Sequence, residues 1–317
     1  MTETALRVCS FKGLQNLPAY VAMREGYFRA RELSIDLSYT AGSAPQLAGL
    51  ARGEYDLIQT APDNVVNFDT NPTAFGVDAE SAPRAIMLLG GSNGPLRVFA
   101  RRGLASVGDL RGGTMGVDNP TSGFALVLRD LLWRRGMALD RDYRFTVAGG
   151  THVRCEALLR GEIDATILYT PFDLRAATAG CVELASSTGT YAAYASAATA
   201  GVRSWVEAHS DVVTRYIAAV LQALAWIYDP AHFDALQALV REEADFGVPV
   251  DLVACVCADY VAPESGTGPL AALDDAGLRQ VIALRATYGS GTQPLGEPSD
   301  YYDLRWYRDA LASVSAT

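Results

Sequence analysis

Short apolar runs alternate along the first hundred residues with segments in which apolar positions recur at helical spacing. The runs predict strands at 6–11, 34–40, 55–61, 85–91 and 96–101, and the helical spacing predicts helices at 19–32 and 41–54. A strand–helix–strand–helix–strand order is typical of a parallel sheet covered by helices. The pattern therefore predicts an α/β fold.

A second unit of the same kind begins near residue 106. It begins with a short helix and a strand at 106–118. Helices are predicted at 124–136 and 155–162, and strands at 143–149 and 163–171. The segment 181–187 is predicted to lead the chain out of this unit. From about residue 204 the pattern becomes helical, with a turn-rich loop at 289–302 before a final helix. The aromatic side chains of these helices, such as Trp226 and Tyr228, are predicted to lie in the core.

The composition narrows the class of partner. The chain has 317 residues, half of them hydrophobic, which is enough for about two domains with buried cores. Its net charge is −10, with Lys12 as the one lysine, and this balance argues against a nucleic-acid partner. No apolar run approaches the length of a membrane span, and the opening residues show no targeting segment.

The cysteines and histidines predict neither a metal site nor a cofactor. An odd number of scattered cysteines argues against a disulfide framework, and we expect them to be buried, unreactive thiols. The three histidines are far apart and form no known metal motif. The residues concerned are Cys9, Cys155, Cys181, Cys255, Cys257, His152, His209 and His232.

Small residues mark two junctions between a strand and a helix. Gly42 and Ser43 open one helix, and Thr121, Ser122 and Gly123 open another. Free N–H groups at a helix start can hold an anion, whereas a serine or threonine there can also cap the helix with no ligand. Neither junction has the sequence of a phosphate-binding loop.

Further candidate residues follow the other predicted strands. Ligands of open α/β sheets lie beyond the carboxyl ends of the strands, so polar and aromatic residues at these ends are candidates for the same site. They are Phe11, Lys12, Gln15, Thr60, Asp63, Ser92, Asn93 and Tyr169. The sequence thus predicts a cleft that holds a small ligand, with ordinary caps and turns as the alternative.

Three segments carry a resemblance to a known group. They read LPAYVAMREGYFRARELSIDLSYTAGSAPQLAGLARGEYDLIQTAPDNV, DLRGGTMGVDNPTSGFALVLRDLLWRRG and ALLRGEIDATILYTPFDLRAATAG. In order and spacing the chain resembles the solute-binding proteins of ABC transporters, in the nitrate/sulfonate/taurine group with its thiamine-pyrimidine-related branch. The resemblance covers roughly residues 6–228, and no single motif in it is diagnostic.

The resemblance implies a type II periplasmic-binding-protein fold with two lobes, a hinge and an interlobe ligand cleft. Lobe 1 would comprise 1–97 and 185–317, lobe 2 would be the inserted 98–184, and the crossings SNGPL and ASSTG would form the hinge. The cleft would close on its ligand. An ABC permease would be the partner of a monomer that works outside the cytoplasm.

The resemblance also implies roles for individual residues. The two helix starts, at Gly42 and Ser43 and at Thr121 to Gly123, would hold a sulfonate- or carboxylate-type anion, and Lys12 and Gln15 would approach it. The Tyr169 ring would face the organic part of the ligand, with Phe172 in the same turn.

Two other functions remain open at this point. The chain could be a cytoplasmic enzyme on the same fold, decarboxylase- or desulfinase-like, or a ligand sensor. An enzyme needs an acid, base or nucleophile in the cleft, and Asp63, Asp173 and Lys12 are the candidates. The first loop, FKGLQNLP, lacks the cysteine that the resembling desulfinases use, and Cys9 lies inside the strand.

Overall fold

A first sheet is built mainly from the N-terminal part of the chain. The computed structural model describes residues 3–91, 94–262, 268–291 and 293–315. The strands of this sheet are β1 (Thr4–Ser10), β2 (Leu33–Tyr39), β3 (Leu57–Thr60), β4 (Ala85–Gly90) and β10 (Ala198–Val202). Their order is β2–β1–β3–β10–β4; β1 is parallel to both of its neighbours and β10 is antiparallel to both of its own.

The second sheet is built from the middle of the chain. Its strands are β5 (Arg97–Ala100), β6 (Thr114–Val117), β7 (Arg144–Val147), β8 (Ala165–Leu168) and β9 (Val182–Ser186). They lie in the order β7–β6–β8–β5–β9, with β6 parallel to its neighbours and β5 antiparallel to its own. The predicted α/β class is confirmed by these two five-stranded sheets and the helices around them.

Among the described residues, the helices that follow strands of the two sheets are α1 (Leu17–Arg24), α2 (Ser43–Ala51), α3 (Pro62–Thr70), α4 (Gly123–Trp133), α5 (Thr151–Leu159) and α6 (Phe172–Thr178). The C-terminal part contains the helices α7 (Arg203–Ala208), α8 (Ser210–Tyr228), α9 (Phe233–Glu242), α10 (Val253–Val261), α11 (Asp275–Tyr288) and α12 (Arg305–Ser315). Helix α8 packs on α1 and α12, whereas α11 packs on both α3 and α4 and so contacts helices that follow different sheets. Across the described ranges, no helix is both long and apolar enough to cross a membrane.

Several predicted boundaries shift in the structure. The first helix ends at Arg24 rather than at residue 32, because the chain turns at Gly26 in a left-handed conformation with φ +77°. The long helix predicted from residue 204 is divided at His209 into α7 and α8. Trp226 is buried as predicted, and Tyr228 is partly buried against the same core.

The expectation for the cysteines is only partly correct. Cys9, Cys155 and Cys257 are buried free thiols, but Cys181 is half-buried and Cys255 is exposed. Residues two apart on a helix point to different sides, so Cys257 on α10 faces the core while Cys255 faces solvent. Burial raises the pKa of Cys155 to about 12 and that of Cys257 to about 11, which keeps both thiols protonated.

Two segments connect the sheets, and they bond to each other. The first precedes β5 and the second follows β9. The Leu96 N–H donates to the Ser187 hydroxyl at 2.9 Å, and the Ser187 N–H donates to the Leu96 carbonyl at 2.8 Å. The two crossings therefore run side by side between the sheets.

Candidate functional site

A cavity of about 160 Å³ lies where the ends of the two sheets meet. For comparison, an apolar cavity of roughly 150 Å³ in another protein holds one benzene molecule. The cavity is lined by two sets of residues. One set precedes β5 or follows β9, and the other comes from the middle of the chain, between these two strands. They include Phe11, Gln15, Thr60, Asn64, Asp118, Ser122, Gly123, Phe124, Thr151, Arg154, Tyr169, Thr170, Asp259 and Tyr260.

Aromatic rings form much of the wall. Phe124 and Tyr169 lie edge to face with ring centroids 5.9 Å apart, and Tyr169 meets Phe172 at the same distance. Phe11 and Tyr260 line the cavity from the other half of the chain. Such rings offer flat apolar surface to one ring-sized organic ligand.

Asp118 joins the two predicted helix starts. The Ser122 hydroxyl donates to Asp118 Oδ1 at 2.7 Å, and the Ser43 hydroxyl donates to Asp118 Oδ2 at 3.3 Å. The two junctions thus lie close together in space, one preceding α2 and one preceding α4. Because both hydroxyls donate to a carboxylate of the chain, they are not free to hold an anionic ligand.

Asp63 fills the place that an anion would take at the start of α4. Its carboxylate accepts the Gly123 backbone N–H, and Arg285 donates to it through Nε at 2.6 Å and Nη2 at 2.5 Å. Burial raises the pKa of Asp63, and the Arg285 charge acts against that rise. The helix start therefore holds a carboxylate of its own chain, and the Gly123 N–H is already engaged by Asp63. That Gly123 holds a ligand anion stays a prediction.

The polar groups next to Gly123 also bond to the protein itself. The Ser122 hydroxyl also caps α4 by accepting the Ala125 N–H at 3.4 Å, and Arg285 Nη2 donates to the Thr121 carbonyl at 2.7 Å. At the other junction, the Gly42 N–H donates to the Thr40 hydroxyl at 3.2 Å. Neither Gly42, Ser43 nor Thr121 lines the cavity.

Three other predicted residues do line the cavity, and all three come from the first sheet's strand ends. They are Phe11, Gln15 and Thr60. Gln15 Nε2 donates to the Phe11 carbonyl at 2.6 Å, and the Thr60 hydroxyl accepts from Asn64 Nδ2 at 2.9 Å. Loop residues and the first turn of α3 thus present a polar edge to the cavity.

The remaining predicted residues have other surroundings. Lys12 Nζ bonds to Asp245 at 2.6 Å and lies 5.4 Å from the centre of the Tyr39 ring, outside the cavity lining. Phe172 is buried behind Tyr169 because it begins α6 and faces the core of the second sheet. Ser92 and Asn93 lie outside the described residues.

None of the three candidate catalytic groups lines the cavity. Asp63 and Lys12 are held in the ion pairs given above, and Asp173 is buried against Arg97. Within the described part of the chain, no group of three or more histidine, cysteine or acidic side chains is placed to hold a metal ion.

Arg154 lines the cavity and was not among the residues predicted from the sequence. Its side chain is 2 % exposed, and burial lowers its pKa. Nε donates to Thr166, Nη1 to the Gly149 carbonyl, and Nη2 to Thr151 and the Ile167 carbonyl, at 2.8–3.3 Å. The sequence does contain one indication of this position. Residues three and four apart share one helix face, so Arg154 lies on the same face as Thr151, Cys155 and Leu158.

Asp259 is a second cavity residue outside the set predicted from the sequence. It lies on α10, and the Thr170 hydroxyl donates to its Oδ2 at 3.3 Å. This contact joins the C-terminal helices to the segment that follows β8. No pattern around DLVACVCADYV distinguishes this carboxylate from a solvated one.

The comparisons with solved structures agree on the fold. The nitrate-binding protein NrtA of Synechocystis PCC 6803 is 10% identical, with a TM-score of 0.84 over 99% of this chain and 90% of that one. The alkanesulfonate-binding protein SsuA of Xanthomonas axonopodis pv. citri is 15% identical, with a TM-score of 0.74 over 96% and 99%. The desulfurization enzyme DszB is 16% identical, with a TM-score of 0.65 over 98% and 99%.

These likenesses confirm the two-lobed periplasmic-binding-protein fold that the resemblance implied. No curated protein sequence matches the chain. The sequence model of the NMT1-like family matches residues 2–240, which is about three quarters of the chain. The chain therefore belongs to the NMT1-like family.

Proposed function

We propose that this protein binds one small organic solute in the cavity between its two sheets, as the substrate-binding component of an ABC importer. The observation that carries the proposal is the cavity between the two sheets, lined by residues of both halves and, among the described residues, by four aromatic rings. The names of NrtA and SsuA, which bind nitrate and alkanesulfonates, support the same class of function.

The two halves would open and close around this cavity. Lobe 1 would comprise 1–97 and 185–317, and lobe 2 would comprise 98–184. The paired crossings at Leu96 and Ser187 support a hinge at this place, because two adjacent connections can rotate together.

The size of the cavity favours a ligand with about one ring. The sequence-based preference for a sulfonate or carboxylate loses its support at the helix starts, since Asp63 and Asp118 take up their donors. The solute-binding role does not depend on these donors. Anionic ligands are therefore included in the test as one of several ligand classes.

Ligand-induced stabilisation tests the proposal. We expect at least one small ring compound, from a panel of amines, alcohols, carboxylates and sulfonates, to raise the melting temperature; at 100 times its Kd a ligand adds about 2.7 kcal/mol. Ala197→Trp, which places an indole in the cavity, should abolish the shift. Ala254→Trp on the exposed face of α10 is the matched control and should keep it.

The remaining outcomes separate the alternatives. A shift that Ala197→Trp leaves unchanged would place the ligand elsewhere and contradict the proposed cavity. Chemical conversion of the bound compound would favour an enzyme, which the likeness to DszB keeps as the second candidate. Recovery of the native protein outside the cytoplasmic membrane is expected of an importer component.

A further inference from the structure

The charged lining of the cavity is predominantly acidic. Among the described residues, its charged side chains are Asp118, Arg154 and Asp259. One positive charge thus faces two negative ones. A cavity that held a free anion would need the opposite balance, or donors that the protein does not already use.

Arg154 has little left to offer an anion. Four of its N–H groups have partners in the protein, and Nη1 also lies 3.7 Å from Asp118 Oδ1. These bonds fix the guanidinium group to the surrounding protein. An incoming carboxylate or sulfonate would therefore meet Asp118 without gaining a free bidentate arginine.

Asp118 keeps capacity to accept hydrogen bonds. A carboxylate offers about four lone-pair positions, and Asp118 receives one hydroxyl on each oxygen, at 2.7 Å from Ser122 and 3.3 Å from Ser43. Its side chain is only 10% exposed, so water competes weakly for the positions that remain.

One ring of the aromatic wall lies close in sequence to this acceptor. Ser122, which bonds Asp118, is followed two residues later by Phe124, whose ring meets Tyr169. Asp118 lines the same cavity as Phe124 and Tyr169. Burial raises the pKa of Tyr169 and the charge of Asp118 acts in the same direction, so a ligand ring against these two side chains would have Asp118 in its surroundings. Asp259, from α10, adds a second negative charge to the lining.

We infer that the cavity selects a ring compound that carries a nitrogen donor, as a protonated amine or an amidinium group, and that Asp118 accepts its N–H hydrogens. The inference rests on the proposed solute-binding function and names the ligand class of that site. Asp118 sets the specificity, and Asp259 contributes to the negative potential.

Matched one-ring probes test the inference on the full chain by calorimetry. Benzylamine and benzamidine carry the cation, benzyl alcohol is the neutral analogue, and benzoate and benzenesulfonate carry the anion. We expect the two cations to bind at least tenfold more tightly than benzoate. Tighter binding of benzoate or benzenesulfonate would overturn the inference while keeping the solute-binding function.

Asp118→Asn tests the residue. We expect it to remove at least tenfold of the preference for benzylamine over benzyl alcohol, whereas Asp275→Asn on the exposed face of α11 should change nothing. If Asp118→Asn fails to fold, the order of affinities of the five probes for the wild-type protein tests the inference instead. Unchanged preference in a folded Asp118→Asn protein would contradict the role of Asp118, and no binding of any probe would count against the proposed function and the inference together.

Discussion

Asp63 and Arg285 form an ion pair in which Arg285 Nη2 lies 2.5 Å from Asp63 Oδ2. The pair is almost closed to solvent, since the Arg285 side chain is 3% exposed and the Asp63 side chain is 1% exposed. The same two side chains bond to the backbone at the start of α4, through the Gly123 N–H and the Thr121 carbonyl. The pair therefore ties α3 and α11 to the helix that follows β6 of the second sheet.

Removing one charge of this pair should be costly. Asp63→Asn leaves the Arg285 guanidinium buried without a counter-charge, and breaking such a pair typically costs roughly 3–5 kcal/mol. We expect a loss of this size in the free energy of unfolding, measured by urea denaturation. Glu162→Gln, in the exposed pair with Arg160, is the control and should have little effect. Equal losses in both variants would contradict the assigned importance of burial.

Gly123 is required by the space that Asp63 occupies. A Cβ at this position would lie 2.5 Å from Asp63 Cβ and 2.8 Å from its Cγ. Gly123→Ala should therefore destabilise the protein by about 1–3 kcal/mol, although alanine is the better helix former. Gly108→Ala is the control, since its nearest neighbour would be Ser106 Oγ at 3.6 Å. Thermal unfolding of both variants gives the comparison, and a Gly123→Ala protein as stable as wild type would contradict the close contact.

His152 should make stability depend on pH. Burial lowers its pKa, as do the charges of Lys12 and Arg154, while Glu156 acts in the opposite direction. Below about pH 6.5 the His152 side chain takes up a proton more readily in the unfolded chain than in the folded one. The free energy of unfolding therefore decreases as the pH is lowered. We expect His152→Gln to flatten the fall in melting temperature between about pH 7 and 5, and His209→Gln at an exposed site to leave it unchanged. A wild-type slope in His152→Gln would disprove this contribution.

Asp130 connects α4 to α11 through a tyrosine. It is buried on α4 and accepts from the Tyr288 hydroxyl at 2.9 Å and from the Tyr191 hydroxyl at 2.7 Å. Tyr288→Phe removes one neutral donor to a carboxylate, and we expect a loss of about 1–2 kcal/mol in denaturant unfolding. Tyr302→Phe, whose hydroxyl bonds Asp275 at 3.3 Å, should cost less. The opposite ranking would contradict the part assigned to Asp130.

The sequence predicts the strands and most helices because their apolar spacing is regular. It does not predict α3, α6 or β10. Strand β10 reads ATAGV, and small residues without a regular apolar alternation give no strand signal. Its neighbours β3 and β4 bury it from both sides, so its conformation is set by tertiary contacts.

The candidate site is predicted less well than the fold. Strand ends indicate the neighbourhood, and Phe11, Gln15, Thr60 and Tyr169 do line the cavity. Sequence alone cannot show which partner satisfies a helix start: Asp63 is close to Gly123 in space but 60 residues away in the chain. The same holds for Asp118, which lies between the two predicted junctions and was not selected.

Strand β10 has a consequence for the order in which the chain can fold during synthesis. It joins β3 to β4 in the first sheet, yet it is made only after every strand of the second sheet. Once residues 97–186 have been synthesised, all strands of the second sheet are present and can pair. At that stage β3 and β4 still have unpaired edges, which can pair with another chain. We expect a chain that stops before residue 198 to leave the first sheet in two pieces and to associate through those edges.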